Sequence, residues 1–164
     1  MTAYRYPSQE WLDASAARYR ASPETQEGLR KVTTRIVYRI KAEPAWGIDH
    51  DLLFGAVVEK GVLHELRFYA EAEATAIADY VMAATPQEWK KILRKENKFL
   101  TDFMLGKIAL EQGSKAGVIG LAPYAPLFID ALTCVDLTFP DELAAQEREQ
   151  LRRDLQAMRA RLGG

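Results

Sequence analysis

The sequence predicts one α+β domain, a sheet carrying helices on one face. Between residues 32 and 69 the apolar positions recur at every second residue, as strands require, whereas the flanking segments show helical spacing. In the block Phe99 to Gly113 the period switches at Gly106, with Phe99, Leu100, Phe103 and Met104 on one helical face before it and Lys107, Ala109 and Glu111 alternating with Ile108 and Leu110 after it. Such a tight glycine turn aims the apolar faces of helix and strand into one shared space, either a packed core or a ligand cavity.

Each element has a local cause. Ser8 is a cap for a first helix running through Trp11, Leu12 and on to Tyr19, and Ser22-Pro23 starts a second that ends between Gly28 and Lys31. From Val32 to Lys41, Thr34, Ile36, Tyr38 and Ile40 form an apolar face opposite Arg35, Val37, Arg39 and Lys41. After the loop Glu43-Pro-Ala-Trp-Gly47, the strands Leu52 to Glu59 and Val62 to Tyr69 flank Lys60-Gly61, a hairpin turn signal. A fourth strand is expected from Ile77 to Ala84. Thr85-Pro-Gln-Glu88 is a capping box for a helix with the apolar stripe Trp89, Ile92, Leu93. Gly113 to Gly120 leads into the apolar run Val118 to Leu137, read as a buried helix because Pro123, Pro126, Asp130 and Asp136 interrupt it. Phe139-Pro-Asp-Glu142 is expected to start a last helix to about Leu162, with the seam Leu143, Leu151, Leu155, Met158 and Leu162, Asp141 and Glu142 at its positive end, and a Glu149–Arg153 pair.

Composition narrows the classes. At 164 residues, 48% hydrophobic and 27% charged, the chain is long enough for a real core. Its 22 basic and 23 acidic residues leave a net charge of −1, which gives no global attraction to nucleic acid or anionic membrane. Met1 to Pro7 contains no apolar run and does not read as a signal peptide. The single cysteine, Cys134, cannot pair internally and fits a reducing cytoplasm; its apolar setting makes it inert.

Phe103-Met104-Leu105-Gly106-Lys107-Ile108-Ala109-Leu110 resembles the closing signature of the sterol carrier protein type 2 family. Ala78-Asp79-Tyr80-Val81-Met82 resembles that family's fourth strand, Trp89 to Leu93 its following helix, and Tyr6-Pro-Ser-Gln-Glu-Trp-Leu12 the opening helix of bacterial members. The resemblance covers residues 5–132, and the order of several motifs carries it. Three departures stand out: Asp102 where a small residue is usual, Gly113 one residue late, and a long charged tail. The resemblance implies a five-stranded mixed, mostly antiparallel sheet with helices on one face around an apolar cavity, plus an extra C-terminal helix. It divides the chain into a lipid-binding unit, 1–138, and a helix, 139–164, of the same domain acting as lid or dimer contact.

Chemistry-bearing residues are sparse. Asp49-His50-Asp51 is a candidate base or metal cluster, but adjacent residues point apart and no second ligand set exists, so a solvated turn explains it. His64 shares a strand face with Leu66 and Phe68, as either an acid–base group or a partly buried structural residue. Gly113-Ser-Lys-Ala-Gly117-Val-Ile-Gly120 lacks phosphate-loop spacing, and no nucleophile elbow occurs. No catalytic residue, metal or cofactor is expected. Lys90, Lys91, Arg94, Lys95 and Lys98 form either a solvated face or a contact for anionic membrane headgroups, at roughly 1 kcal/mol each.

The remaining candidates are apolar. Phe54, Leu66 and Phe68, then Tyr80 and Met82, Trp89 and Leu93, Phe99, Phe103 and Met104, Ile108 and Leu110, and finally Leu121, Leu127, Phe128 and Leu132 are expected to face the space between sheet and helices. In a closed core they are packing; the resemblance favours a cavity for a fatty-acyl, isoprenoid or sterol-like molecule, in a non-enzymatic lipid carrier. The alternatives are a small enzyme using His64 or Tyr80 or a lipid-biosynthesis accessory protein, either using the same cavity, and an accessory or oligomerisation module whose last helix docks on a partner or a second copy.

Overall fold

The period-two segments build the sheet around one central strand in a computed structural model that describes residues 3–163. Strand β1 (Ala3–Arg5) precedes helices α1 (Gln9–Arg20) and α2 (Pro23–Gly28). The Ser8 and Ser22 hydroxyls accept from the Trp11 and Thr25 backbone N–H groups and so satisfy donors that a helix start leaves open. Strands β2 (Thr34–Ile40), β3 (Leu52–Glu59) and β4 (Val62–Tyr69) then form an antiparallel meander. Lys60 and Gly61 both take positive φ, 49° and 82°, the geometry of a two-residue hairpin turn.

Helix α3 (Glu71–Ile77) crosses from β4 to β5 (Tyr80–Ala84), which pairs parallel to β2. Ile77, expected to open the fourth strand, therefore ends a helix instead. Val37, Leu53, Tyr69, Ala74 and Val81 form a small core with that helix on the sheet's second face. Helices α4 (Pro86–Leu93) and α5 (Phe99–Met104) return the chain to β6 (Ala109–Gln112), which closes the order β4-β3-β2-β5-β6. The turn into β6 falls at Gly106, with φ of 81°, a conformation glycine adopts without the steric cost a Cβ brings. Asp102, one of the departures, is buried and its carboxylate accepts from Asn97 Nδ2 at 3.0 Å.

Helices α6 (Lys115–Leu121) and α7 (Ala125–Thr133), joined by a single tight turn at Ala122–Tyr124, lie across the main sheet face. The expectation of a buried helix here is corrected. Lys115–Thr133 has a mean hydropathy of 1.4 and is by length and composition apolar enough to cross a membrane, yet only 11% of it is buried. It meets the sheet with one face and flanking helices at its sides, so its outer surface remains half-exposed.

Strand β7 (Asp136–Thr138) pairs parallel to β1 and joins the first described segment to the one that precedes the last helix. The last helix is not continuous from Pro140. Pro140–Glu142 is a 3-10 turn in which the Glu142 carboxylate accepts from Phe139 N–H, and α8 (Ala145–Arg161) starts after it. Asp141 and Glu142 are thus not at the positive end of α8. Glu149 pairs with Arg152 at 3.1 Å, not with Arg153. Leu143, Leu151, Leu155 and Met158 are buried in the main core, so the seam is covered by its own domain and a homodimer through this helix would have to use its polar side. Arg152 binds Asp49 and Pro44 O, and Gln156 also donates to Asp49.

Because α8 is part of the core, Leu151→Ala is expected to cost about 2–5 kcal/mol in chemical denaturation. A loss under about 0.5 kcal/mol, the range of neutral surface changes, would mean that the helix is not docked.

Candidate functional site

An apolar hollow lies between the sheet and the α6–α7 layer, and β2 forms its floor. Ile36 and Tyr38 point into it from alternate positions of that strand. Pairing places Tyr80 beside Ile36, Met82 beside Tyr38, and Phe54 on the opposite flank of Tyr38. Tyr38 meets Phe54 at 5.1 Å and the Trp89 ring edge-on at 5.5 Å. Trp89, Ile92 and Leu93 of α4 and Phe99 of α5 form a wall, with the Trp89 Nε1–H donated to Arg39 O at 3.0 Å. Val118, Leu121, Ala125, Phe128, Ile129 and Leu132 close the roof at helical spacing. Tyr6 completes the lining, edge-on to Trp11 at 5.0 Å, and Trp11 in turn meets Phe54.

About 60 Å³ of this hollow is free, enough for a few waters but not for a long hydrocarbon chain. Among the described residues its lining contains no carboxylate, amine, guanidinium or imidazole. The polar groups are three phenols and the Trp89 indole N–H. Tyr6 is 1% exposed and its hydroxyl has no hydrogen-bond partner among the described residues. Burial pushes the phenol pKa of Tyr6 and of Tyr38 well above the usual range, so both remain neutral.

Of the residues expected at this site, the structure brings together Phe54, Tyr80, Met82, Trp89, Leu93, Phe99, Leu121, Phe128 and Leu132. Phe68, Phe103 and Ile108 are buried behind the lining in the same core, Phe68 against Phe54 and Phe103 stacked on Phe99, and Leu66 and Leu110 pack half-buried against that core. Leu127 belongs to a separate cluster under α1 and α2. Met104 is 54% exposed: it lies on the outward side of a helix of only six residues. The residues not anticipated are Tyr6, Ile36, Tyr38, Ile92, Val118, Ala125 and Ile129. Ile36, Tyr38 and Ile92 already stood on recognised apolar faces; Tyr6 had no local signal, because the β1–β7 pairing that positions it joins distant segments.

The polar candidates separate. A register shift at Val57/Val58 pairs Leu63 with Val58 and Glu65 with Val57, leaving His64 unpaired between them. Its side chain is consequently 50% exposed, away from the cavity and 3.9 Å from Glu59, so the expected shared face with Leu66 and Phe68 is corrected. Asp49 is held by Arg152 and Gln156, and Asp51 by Arg39 and Ala42 N–H. Among the described residues no group of acidic, His or Cys side chains is arranged to hold a metal. Cys134 is an exposed residue whose thiol pKa is raised by partial burial. Three of the five basic residues expected to face headgroups are engaged: Lys90 with Asp141 at 2.9 Å, Arg94 with Glu142 at 2.9 Å, and Lys95 with Asp130 at 2.7 Å. That face retains Lys91 and Lys98.

No family model matches the chain, and no curated protein matches it in sequence. Solved structures do share its fold. A conserved hypothetical protein from Thermus thermophilus, described as possibly a sterol carrier protein, superimposes with a TM-score of 0.69 at 17% identity, over 80% of this chain and 90% of that one. A crystal structure of sterol carrier protein 2 gives 0.64 at 19% identity, over 78% and 97%. Apo sterol carrier protein 2 from Yarrowia lipolytica gives 0.51 at 10%, over 76% and 88%. The chain therefore has the sterol carrier protein 2 fold, as the sequence resemblance implied.

Removing the orphan phenol tests the dryness of the site. Tyr6→Phe is expected to raise stability by about 1 kcal/mol, since a buried hydroxyl without a partner carries a desolvation penalty. The unfolded phenol titrates near pH 10 and the folded one above it, so folded protein retains protons that the unfolded chain loses. Stability from Tyr6 is full below about pH 10 and falls above it by at most about 1.4 kcal/mol per pH unit. Denaturation curves across that window should be flatter for Tyr6→Phe than for the parent.

Proposed function

We propose that this chain is a non-enzymatic carrier that takes an apolar molecule between its sheet and the α6–α7 layer. The observation that carries the reading is the state of that layer: a highly apolar helical pair, only 11% buried, roofing a hollow lined by apolar side chains and phenols. A roof serving only as packing would bury its face fully against the sheet. Here a guest would lift the pair and supply the missing contacts, at about 25 cal/mol for each Å² of apolar surface removed from water. Burying about 200 Å² in this way would contribute about 5 kcal/mol.

The fold shared with sterol carrier protein 2 supports this reading, as does the apolar composition of the lining, whose polar side chains among the described residues are three phenols and the Trp89 indole. The enzyme alternative loses His64, since that side chain lies outside the cavity, and keeps Tyr80, whose phenol stands in the lining without an imidazole or carboxylate beside it there. We place ligand exchange at α5, where Leu100, Met104 and Leu105 are exposed next to Phe99 of the cavity wall, with Lys98 and Lys107 at the two ends of this segment. Action in a reducing compartment would keep Cys134 as the thiol.

Gentle organic extraction of the purified protein followed by mass spectrometry is expected to release lipid. Ala125→Phe, which adds a ring to the smallest lining position, is expected to lower uptake of a fluorescent fatty acyl probe by about tenfold or more, about 1.4 kcal/mol, while the far-ultraviolet dichroism stays unchanged. Equal uptake by the filled variant, or no lipid and no uptake by the parent, would overturn the carrier reading.

A further inference from the structure

Next to the apolar hollow lies a second, polar pocket of about 470 Å³ open to the surface, lined by Thr33, Thr34, Asp79 and Ser114. The two spaces share a partition, since Tyr80 and Leu121 line both. The phenol end of Tyr80 lies against Gly117, where a Cβ would come within 2.0 Å of its hydroxyl oxygen; only glycine leaves room for the ring there. Along β2 the face runs Thr34, Ile36, Tyr38, so the pocket and the hollow occupy successive positions of one strand, about 7 Å per step. A single elongated molecule can span them.

We propose that this pocket is a headgroup site, and that the ligand is an amphiphile with an uncharged, hydroxyl-bearing head. The inference rests on the carrier reading and specifies its ligand. Thr34 is 3% exposed and its hydroxyl has no hydrogen-bond partner among the described residues. In a strand floor that otherwise carries isoleucine and tyrosine, this is a costly group to leave unpaired. Lifting α6 to admit a tail would uncover it beside the ligand's head. The Ser114 hydroxyl accepts from Gly117 N–H at 3.0 Å and retains its own proton for donation. Asp79 accepts from Arg35 N–H through one carboxylate oxygen at 3.0 Å, which leaves the other for a ligand hydroxyl.

Charge sets the class. The pocket lining contains one carboxylate and no cation; Arg35 and Lys115 are adjacent in sequence but are not part of it. A carboxylate or phosphate head would face Asp79 without a counter-charge, and the hollow beyond has none to offer either. A glycerol-type head instead gives hydroxyls that donate to Asp79 and accept from Thr34 and Ser114.

The test uses the full chain and three ligands with the same acyl chain, each titrated below its aggregation threshold against bound Nile red: the monoacylglycerol, the methyl ester and the free carboxylate. The monoacylglycerol is expected to bind about tenfold tighter than the methyl ester, the worth of one or two net hydrogen bonds, and the carboxylate more weakly than both. Thr34→Val should erase most of that advantage while leaving methyl ester binding and folding unchanged. Asp79→Asn should improve carboxylate binding. Carboxylate binding as tight as the monoacylglycerol's, or a preference that survives Thr34→Val, would overturn the headgroup site. Methyl ester binding with no head preference removes this inference and leaves the carrier standing; binding of none of the three removes both.

Discussion

Covering the apolar face of β2 is the constraint on which the rest of the architecture depends. This strand is the middle of five, paired antiparallel to β3 and parallel to β5, and its two faces are treated differently. On one, Val37 packs with Leu53, Tyr69 and Val81 under a short helix, and Arg39 gathers Glu71 and Glu111 at 2.6 and 2.7 Å. Burial works against that guanidinium's charge, but the two carboxylate bonds more than compensate and hold it ionised. The other face, with Ile36 and Tyr38, is left to a roof that covers it incompletely. The closed face gives the sheet a firmly packed back.

The segments around Tyr6 and Phe139 secure one side of that roof. Tyr6 stands between Trp11 and Phe139, at 5.0 and 4.9 Å, and the β1–β7 pair fixes the approach of both segments. Lys90 and Arg94 lie over the Phe139 ring and pair with the carboxylates just beyond it. This clamp consumes charges that would otherwise form a basic surface. Toward Thr34 the boundary is made by the Tyr80 ring, Leu121 and glycine-bearing backbone, with no ion pair between them. The edge strand β4 is protected separately: Gln9 accepts from Phe68 N–H and Arg20 donates to Leu63 O, so α1 occupies backbone groups that another chain could pair with.

Much of this was legible in the residues. Period-two alternation set β3 and β4 at their observed bounds, Thr85-Pro-Gln-Glu88 set the start of α4, and Gly106 marked the helix-to-strand turn. What escaped was structure decided by pairing over distance. The shift at Val57/Val58 turns His64 outward, and alternation alone cannot register an inserted residue. Ile77 reads equally well as strand or helix, and the crossing from β4 to the far side of β2 decided it for helix. The cavity lining was recovered where an apolar stripe had one partner surface, as for Trp89, Leu93 and Phe128. It was missed where a residue came from outside any stripe, as Tyr6 does, or from a helix too short to have a settled inner face, as at Met104.

The incomplete burial of α6 and α7 has a thermal consequence. Water held against those half-exposed apolar side chains gives the protein a heat capacity larger than a fully packed fold of its length would have. On the carrier reading proposed above, seating a guest would release that water, with a negative heat-capacity change. Retention would then be set by warmth as well as by fit.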